Sequence, residues 1–208
     1  MTVPKVVDHD QRRREIVEAL WHIASTRGLE GVSLGEVATA AGVSKGLVQH
    51  YFGTRDQLLM HATGYLRERV EQRIAARVAA APDSASGTLR AVLVALLPTD
   101  DDSRTESLVA NAFLVRAHND PVLTARFREG TSQVRNALTA AIGAAQRDGD
   151  LRADLDPARE ADLLLALVSG LGEALLLGHH TPDAAVALLD HHLGRLATAG
   201  GPGFGHDG

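Results

Sequence analysis

The sequence contains no cysteine and few aromatic residues, and each shortage narrows the classes of protein to consider. Without cysteine, the chain can form neither a disulfide framework nor a zinc site built on thiolates. Aromatic residues make up only 3% of the 208 residues, although 45% are hydrophobic. A core built mostly of alanine, leucine and valine favours packed helices over a β-sandwich.

A long hydrophobic segment is also missing. The longest strongly apolar run, residues 163–171, is bounded by Asp162 and Glu173. It is far shorter than the ~20 residues that a membrane-spanning helix requires, and no basic start followed by an apolar stretch marks a signal peptide. We therefore expect a soluble, cytoplasmic protein with no membrane partner and no cofactor.

Charge is unevenly distributed along the chain. Residues 1–60 carry seven basic and seven acidic side chains, so the formal net charge of −5 falls on the remaining residues. One of only two lysines is Lys45. No strongly basic stripe, the usual footprint of a nucleic-acid interface, is visible, but the acidic excess lies outside the N-terminal part.

Hydrophobic periodicity predicts nine helices and no strands. Ser33 with Glu36, and Thr54 with Gln57, have the spacing of a capping box, which marks a helix start. The fold class is therefore all-α, with a small N-terminal module of three helices joined by a long helix to a larger bundle. The expected helices span residues 10–27, 33–41, 44–51, 54–80, 88–97, 103–118, 121–147, 157–177 and 182–197.

Residues 33–59 predict a helix-turn-helix. Gly42 ends the first of two short helices, and Ser44 caps the second. The outward residues of that second helix are Lys45, Gln49 and His50. In a helix-turn-helix the second helix enters the major groove of DNA, so the pattern predicts a DNA-binding regulator.

The segment at residues 42–59, GVSKGLVQHYFGTRDQLL, resembles the signature of the tetracycline-repressor (TetR) family. The likeness lies in a Gly-Val-Ser turn, a glycine two residues after the serine, an aromatic-Phe ending, a basic residue three positions later and a leucine pair. The apolar helix at residues 161–178 is similar to the C-terminal domain of the BetI-like branch. The resemblance implies a repressor that binds a palindromic operator as a homodimer and is released by a small-molecule effector.

The candidate DNA-binding residues divide by their chemistry. Ser44 and the first N–H groups of its helix suit a phosphate, and Lys45 and Arg55 can each neutralise one. Gly46 lets the backbone approach DNA closely, and Leu47 suits a thymine methyl group. The full set is Ser33, Ser44, Lys45, Gly46, Leu47, Gln49, His50, Tyr51 and Arg55.

Several of these roles stay open. The family usually has tyrosine where this chain has Gln49, which can hold a phosphate or bond an adenine edge. Leu47 can instead belong to the core, and Lys45 with Gln49 can form a merely solvated face. The arginines at positions 12–14 can hold the DNA backbone or a minor groove, or can simply begin a solvated helix.

The predicted organisation of the chain has five parts. Residues 10–53 form the helix-turn-helix domain, residues 54–80 a connecting helix, and residues 81–199 a ligand-binding and dimerisation domain. Residues 1–9 and 200–208 are expected to be disordered tails. A ligand is expected to shift the connecting helix and thereby change the separation of two DNA-reading heads.

A homodimer is expected because a helix-turn-helix normally binds two half-sites about 34 Å apart. The last two helices carry an apolar stripe too wide for a solvated surface, and the resemblance implies a four-helix interface there. Part of this stripe must also be intramolecular core. The candidate interface residues are Leu164, Leu167, Val168, Leu171, Leu175, Leu189 and Leu193.

The resemblance further implies an effector pocket among the middle helices, residues 88–147. Few aromatic residues are present to form a cage around a quaternary ammonium such as choline, so we expect an apolar or weakly polar effector. The candidate lining residues are Asn111, Phe113, Leu114, Arg116, His118 and Phe127.

An alternative interpretation is a helical metal-dependent enzyme. Two histidine pairs and two aspartates near the C-terminus could supply metal ligands, namely His179, His180, His191, His192, Asp183 and Asp190. No HExxH pattern is present, and loop or surface positions are the ordinary explanation for these histidines. Glu173 could act as a general base but has no evident catalytic partner, so we expect no catalytic residue and no metal.

Overall fold

The computed structural model describes residues 9–198, and this part of the chain forms nine α-helices. They are α1 (His9–Arg27), α2 (Leu34–Ala40), α3 (Lys45–Phe52), α4 (Arg55–Ala79), α5 (Ala85–Ala95), α6 (Asp101–Ala117), α7 (Pro121–Arg147), α8 (Pro157–Leu176) and α9 (Pro182–Leu196). The all-α prediction is confirmed. The tails expected to be disordered lie outside the described residues, except for His9, which begins α1.

Among the described residues, β-structure is limited to an isolated antiparallel bridge between Leu151 and Ala197. No helix within residues 9–198 is long and apolar enough to cross a membrane. The expected helix limits hold to within a few residues at each end.

Two helices begin earlier than expected because of their caps. The hydroxyl of Ser84 accepts a hydrogen bond from the backbone N–H of Gly87, so α5 begins at Ala85. The carboxylate of Asp100 accepts the backbone N–H of Ser103 at 2.8 Å. Ser103, which the sequence suggested as a helix start, therefore lies within the first turn of α6 and is buried.

The chain divides into two compact units. The head unit comprises the described residues up to Arg67 together with Leu108–Thr124, and the body unit comprises Glu68–Ser107 and the described residues from Ala125 onward. Helices α4, α6 and α7 contribute residues to both units. This division differs from the predicted organisation because residues 108–124 group with the N-terminal helices.

In the head unit, α2 packs against both α1 and α3. Val48 and Phe52 of α3 are buried, and the single tryptophan, Trp21, is only 5% exposed. The Trp21 ring lies 5.1 Å from that of Tyr65. The buried apolar side chains of α1 are Ile16, Val17, Leu20, Trp21, Ile23 and Ala24.

The body unit has a core of aliphatic side chains contributed by α5, α7, α8 and α9. Helix α5 packs against α8 and α9, which also pack against each other. Since aliphatic side chains fill this interior without aromatic rings, the structure accords with the composition. The main contributors are Leu89, Leu93, Leu138, Ile142, Leu164, Val168, Leu189 and Leu193.

Side-chain hydrogen bonds between residues far apart in sequence connect the helices and loops of the body unit. The guanidinium of Arg90 forms two hydrogen bonds with Asp190, of 2.6 and 2.8 Å, which join α5 to α9. The hydroxyl of Ser86 donates to Asp150 at 2.6 Å. Arg104 donates to the backbone carbonyls of Leu175 and Leu176 at the end of α8. The last carbonyls of a helix receive no hydrogen bond from an N–H of the same helix.

Candidate nucleic-acid interface

Ser33 begins α2 through the reciprocal capping box that the sequence predicts. Its hydroxyl accepts from the backbone N–H of Glu36 at 3.2 Å, and its own backbone N–H donates to the Glu36 carboxylate at 2.8 Å. The pKa of Glu36 is lowered, first by that backbone N–H and then by the guanidinium of Arg27, which lies 2.8 Å away.

The turn between α2 and α3 is a Schellman motif. Val43 N–H donates to the carbonyl of Ala38 at 2.9 Å, and Gly42 N–H donates to that of Thr39 at 3.2 Å. Gly42 has φ +64°, a conformation that glycine adopts without strain. Ser44 then caps α3 by accepting from the backbone N–H of Leu47 at 3.1 Å. The local sequence therefore fixes the direction in which α3 leaves the turn.

The exposed face of α3 brings together four of the predicted DNA-binding residues. Lys45, Gly46, Gln49 and His50 are all exposed. The side chains of Lys45 and Gln49 have no hydrogen-bond or ion-pair partner within residues 9–198. They are one helical turn apart and therefore lie side by side. Leu47 is half-buried, between the two roles considered for it.

Tyr51 is held by α1, a relation that the sequence did not suggest. Its hydroxyl shares a hydrogen bond of 2.8 Å with Nδ1 of His9. The guanidinium of Arg13 lies 5.7 Å from the centre of the Tyr51 ring, within the range of a cation–π interaction. His9 and Arg13 are about forty positions away in sequence, so no local spacing could have revealed this cluster.

The three consecutive arginines of α1 differ in their ion-pair partners. Arg12 pairs with Glu15 at 2.6 Å, and Arg13 pairs with Asp10 at 3.1 Å. Arg14 is exposed, and its side chain has no partner among the residues that the structure describes. Both interpretations of this triplet stay open, but Arg14 is the arginine that internal contacts leave unengaged.

Arg55 is placed differently from the other candidates. Its Nε donates to the backbone carbonyl of Val32, and one terminal nitrogen donates to that of Leu29 at 2.9 Å. The remaining terminal nitrogen lies 3.8 Å from the carboxylate of Asp56. The guanidinium that the sequence offers as a phosphate contact is thus turned into the α1–α2 loop.

The structure does not bring the six candidate pocket residues together in one unit. Phe113 is fully buried in the head unit, whereas Phe127 belongs to the body unit. Arg116 forms an ion pair of 3.0 Å with Asp56, and Leu114 is 45% exposed. The remaining candidates, Asn111 and His118, are exposed. None of the six lines the cleft described next, so their role in an effector pocket stays a prediction.

The body unit contains an open cleft of about 520 Å³ whose walls are charged. Glu106 is buried there and pairs with both Arg69 and Arg73. Burial lowers the pKa of Arg73. The lining comprises Arg69, Gln72, Arg73, Asp100, Asp101, Asp102 and Glu106, none of which is aromatic and none of which the sequence had suggested.

The proposed dimer contacts also need correction. Leu167 is partly buried against the body core, and the other six candidates are core residues of a single chain: Leu164, Val168, Leu171, Leu175, Leu189 and Leu193. These six side chains have little surface left for a partner, because at most 7% of any of them is exposed. The outer stripe, the exposed face of α8 and α9, consists instead of Leu163, Ala166, Ser169, Gly170, Glu173, Leu177, Ala184, Ala187, Leu188, His191 and Gly194.

The histidine pairs do not form the metal site that was considered. Within residues 9–198, no group of three or more histidine, aspartate or glutamate side chains is placed to hold a metal ion. Asp190 is engaged by Arg90, and Glu173 is exposed on the outer stripe. The geometry therefore gives these residues structural or surface positions.

Two family matches accord with this architecture. Residues 16–62 match the bacterial regulatory proteins of the tetR family, and residues 85–198 match the C-terminal region of BetI-type transcriptional repressors. Over 169 residues the chain is 32% identical to the HTH-type transcriptional regulator PksA of Bacillus subtilis. That alignment covers 81% of this chain and 80% of PksA.

Solved structures share the fold. A TetR-family transcriptional regulator from Rhodococcus sp. has a TM-score of 0.81 and 27% identity, with 89% of this chain and 98% of that chain covered. A transcriptional regulator from Saccharomonospora viridis, solved in complex with choline, has a TM-score of 0.82 and 22% identity, covering 90% and 98%. The latter likeness concerns the fold alone.

The matched families and relatives are transcriptional regulators, so the alternative of a metal-dependent enzyme is wrong. The BetI-type match alone covers more than half of the chain. Together with the capped helix-turn-helix of the head unit, it shows that the chain belongs to the TetR family of DNA-binding transcriptional regulators.

Proposed function

We propose that the protein is a homodimeric repressor that binds a palindromic DNA operator through α3 and leaves it when a small molecule binds. The observation that carries this proposal is the exposed face of α3. Lys45 and Gln49 lie there side by side without a partner among the described residues, at the end of a rigid glycine turn. Exposed polar groups that make no internal contact are free to bind the edges and phosphates of DNA.

Six of the nine candidates have a proposed task. Ser44 and the N-terminal N–H groups of α3 hold a phosphate, since a positive helix end and a free hydroxyl hydrogen favour an anion. Lys45 neutralises a second phosphate. Gln49 bonds an adenine edge or a phosphate, and His50 adds a donor nearby. Gly46 permits close approach of the backbone to DNA, and Ser33 gives a further phosphate contact at the start of α2.

Selection of random double-stranded DNA by the purified protein tests operator binding. We expect enrichment of a palindrome whose half-site centres are about one helical turn apart, or a multiple of that spacing, as two-fold symmetry demands. Enrichment of no sequence over the starting library would overturn the proposal. A reporter promoter that carries the selected sequence then distinguishes repression from activation.

The outer stripe is the proposed dimer interface. Its small residues, such as Ala166 and Gly170, allow two helix pairs to approach closely, and Leu163 and Leu188 supply apolar area. We expect light scattering to give about twice 22.0 kDa. Ala166→Arg should yield a folded monomer, whereas the control Ala137→Arg, on the exposed side of α7, should leave the mass unchanged. A wild-type monomer at micromolar concentration would contradict the dimer.

The effector is proposed to be a small apolar or weakly polar molecule that binds the body unit. The choline in the Saccharomonospora structure belongs to that protein, and the charged cleft found here has no aromatic lining to form a cage for such a cation. A compound library that includes choline as one arm tests this. The expected effector lowers operator affinity, because a ligand shifts an equilibrium only through differential affinity for its states.

A further inference from the structure

The loop between α1 and α2 in the head unit, residues 28–33, is short and has few backbone hydrogen bonds. Gly28 and Gly31 have φ values of +76° and +72°, conformations that glycine adopts without strain. The hydrogen bond from Val32 N–H to the Leu29 carbonyl is long, at 3.4 Å. The hydrogen bonds that reach the carbonyls of Leu29 and Val32 are part-buried, and an acceptor left unpaired there is costly.

Arg55 supplies the donors that these carbonyls need. Its Nε reaches Val32 and one terminal nitrogen reaches Leu29. These two nitrogens belong to one rigid plane, so a single guanidinium fixes two points of the loop at once. A lysine carries the same charge but has no such planar pair of donors.

The residue that follows this anchored loop is Ser33, the cap of α2. Its backbone position is therefore set from one side by Arg55 and from the other by the capping box with Glu36. Helix α2 in turn packs against α3. A displaced loop would move the start of α2 and the face of α3 that packs on it.

The charge of Arg55 is poorly placed to attract a phosphate. Two of its three nitrogens donate to carbonyls, and the third lies 3.8 Å from the carboxylate of Asp56. Only 31% of the side chain is exposed. By contrast, Lys45 is exposed and has no partner within the described residues.

We propose that Arg55 is a positioning residue for DNA binding, which fixes the α1–α2 loop and the start of α2, and that it does not neutralise a phosphate. The inference rests on the proposed operator binding. It predicts a loss of affinity in Arg55 variants that does not depend on charge, and looser backbone hydrogen bonds at the start of α2 even without DNA.

The experiment compares wild-type protein with Arg55→Gln, Arg55→Lys and the control Lys45→Gln. Binding to the selected DNA is measured over a series of potassium chloride concentrations. Amide hydrogen exchange of residues 33–37 is measured on each free protein. A phosphate contact contributes about 0.9 to the slope of log K against log salt concentration, so the slope separates the two roles.

We expect both Arg55 variants to bind roughly tenfold more weakly at every salt concentration, with the wild-type slope, because each loses a charge-assisted hydrogen bond. Their amides at residues 33–37 should exchange faster, whereas Lys45→Gln should lower the slope and leave exchange unchanged. Wild-type affinity in Arg55→Lys, a lowered slope in Arg55→Gln or unchanged exchange in both would overturn the inference. Failure of wild-type protein to select any DNA would instead overturn the proposed function.

Discussion

Polar side chains on the exposed face of α3 in the head unit differ from those that join the helices of the body unit. In the body unit, Arg90, Arg104 and Glu106 are bound to partners on other helices, and they hold the unit together. On α3 of the head unit, Lys45 and Gln49 are exposed and have no partner among the described residues. Exposed polar side chains without such a partner therefore mark the proposed functional surface.

The head unit itself contains both kinds of side chain. Arg55 resembles Lys45 in the sequence, because each is a cation near a helix start. The structure separates them, since Arg55 is bound to two carbonyls whereas Lys45 is not. Cationic residues near α3 are therefore not equivalent, and their internal contacts decide which ones are free for DNA.

The largest expected effect is on stability, in the body unit. Glu106→Gln should lower the free energy of unfolding by about 3 kcal/mol, because it removes the carboxylate that neutralises the partly buried Arg73. Urea denaturation followed by far-UV circular dichroism measures this. The matched control is Asp102→Asn, whose carboxylate is 85% exposed although it also pairs with Arg69, and which should cost about 0.5 kcal/mol or less. Equal losses of unfolding free energy in the two variants would contradict this difference between a buried and an exposed carboxylate.

A smaller effect is expected at the ion pair of Arg116 and Asp56 in the head unit. The pair is 3.0 Å long, but Asp56 is 76% exposed, so solvent screens the attraction. Asp56→Asn should lower the free energy of unfolding of the head unit by about 0.5 kcal/mol. The fluorescence of the single tryptophan, Trp21, reports this unit in urea denaturation. A loss several times larger would mean that the pair is shielded from water.

The smallest effect concerns pH. The pKa of Glu36 is lower in the folded chain than its ordinary value of 4.5. Its ionised form therefore stabilises the fold fully above that ordinary value, and the contribution disappears as pH falls through the lowered pKa. Glu36→Gln keeps the capping geometry but cannot titrate, so the wild-type advantage in melting temperature should shrink below about pH 4.5. A constant difference across that range would contradict the assignment.

The sequence was sufficient to predict the caps and the glycine turn because their partners are close in sequence. Ser33 with Glu36, and Thr54 with Gln57, are each three positions apart, and the structure contains both pairs. A reciprocal bond over three residues depends only on helical geometry. The Gly42 turn and the Ser44 cap, which set where α3 begins, are equally local.

Long-range relations could not be predicted in this way. The carbonyls that Arg55 binds are 23 and 26 positions away, and Asp190 is 100 positions from Arg90. The exposure of the leucines of α8 could not be predicted for a different reason. Leu163 and Leu164 are both apolar neighbours on one helix, yet the first is 57% exposed and the second is fully buried. A helix that is apolar on two faces does not reveal which face its own chain covers.

The most direct test of the central claim is operator binding by the double variant Lys45→Ala with Gln49→Ala. Because neither side chain has a partner within residues 9–198, the free energy of unfolding should change by no more than about 0.5 kcal/mol. Affinity for the selected palindrome should fall by about a hundredfold or more, since a base or phosphate contact is lost at each position in both half-sites. Unchanged affinity in a folded double variant would contradict the account.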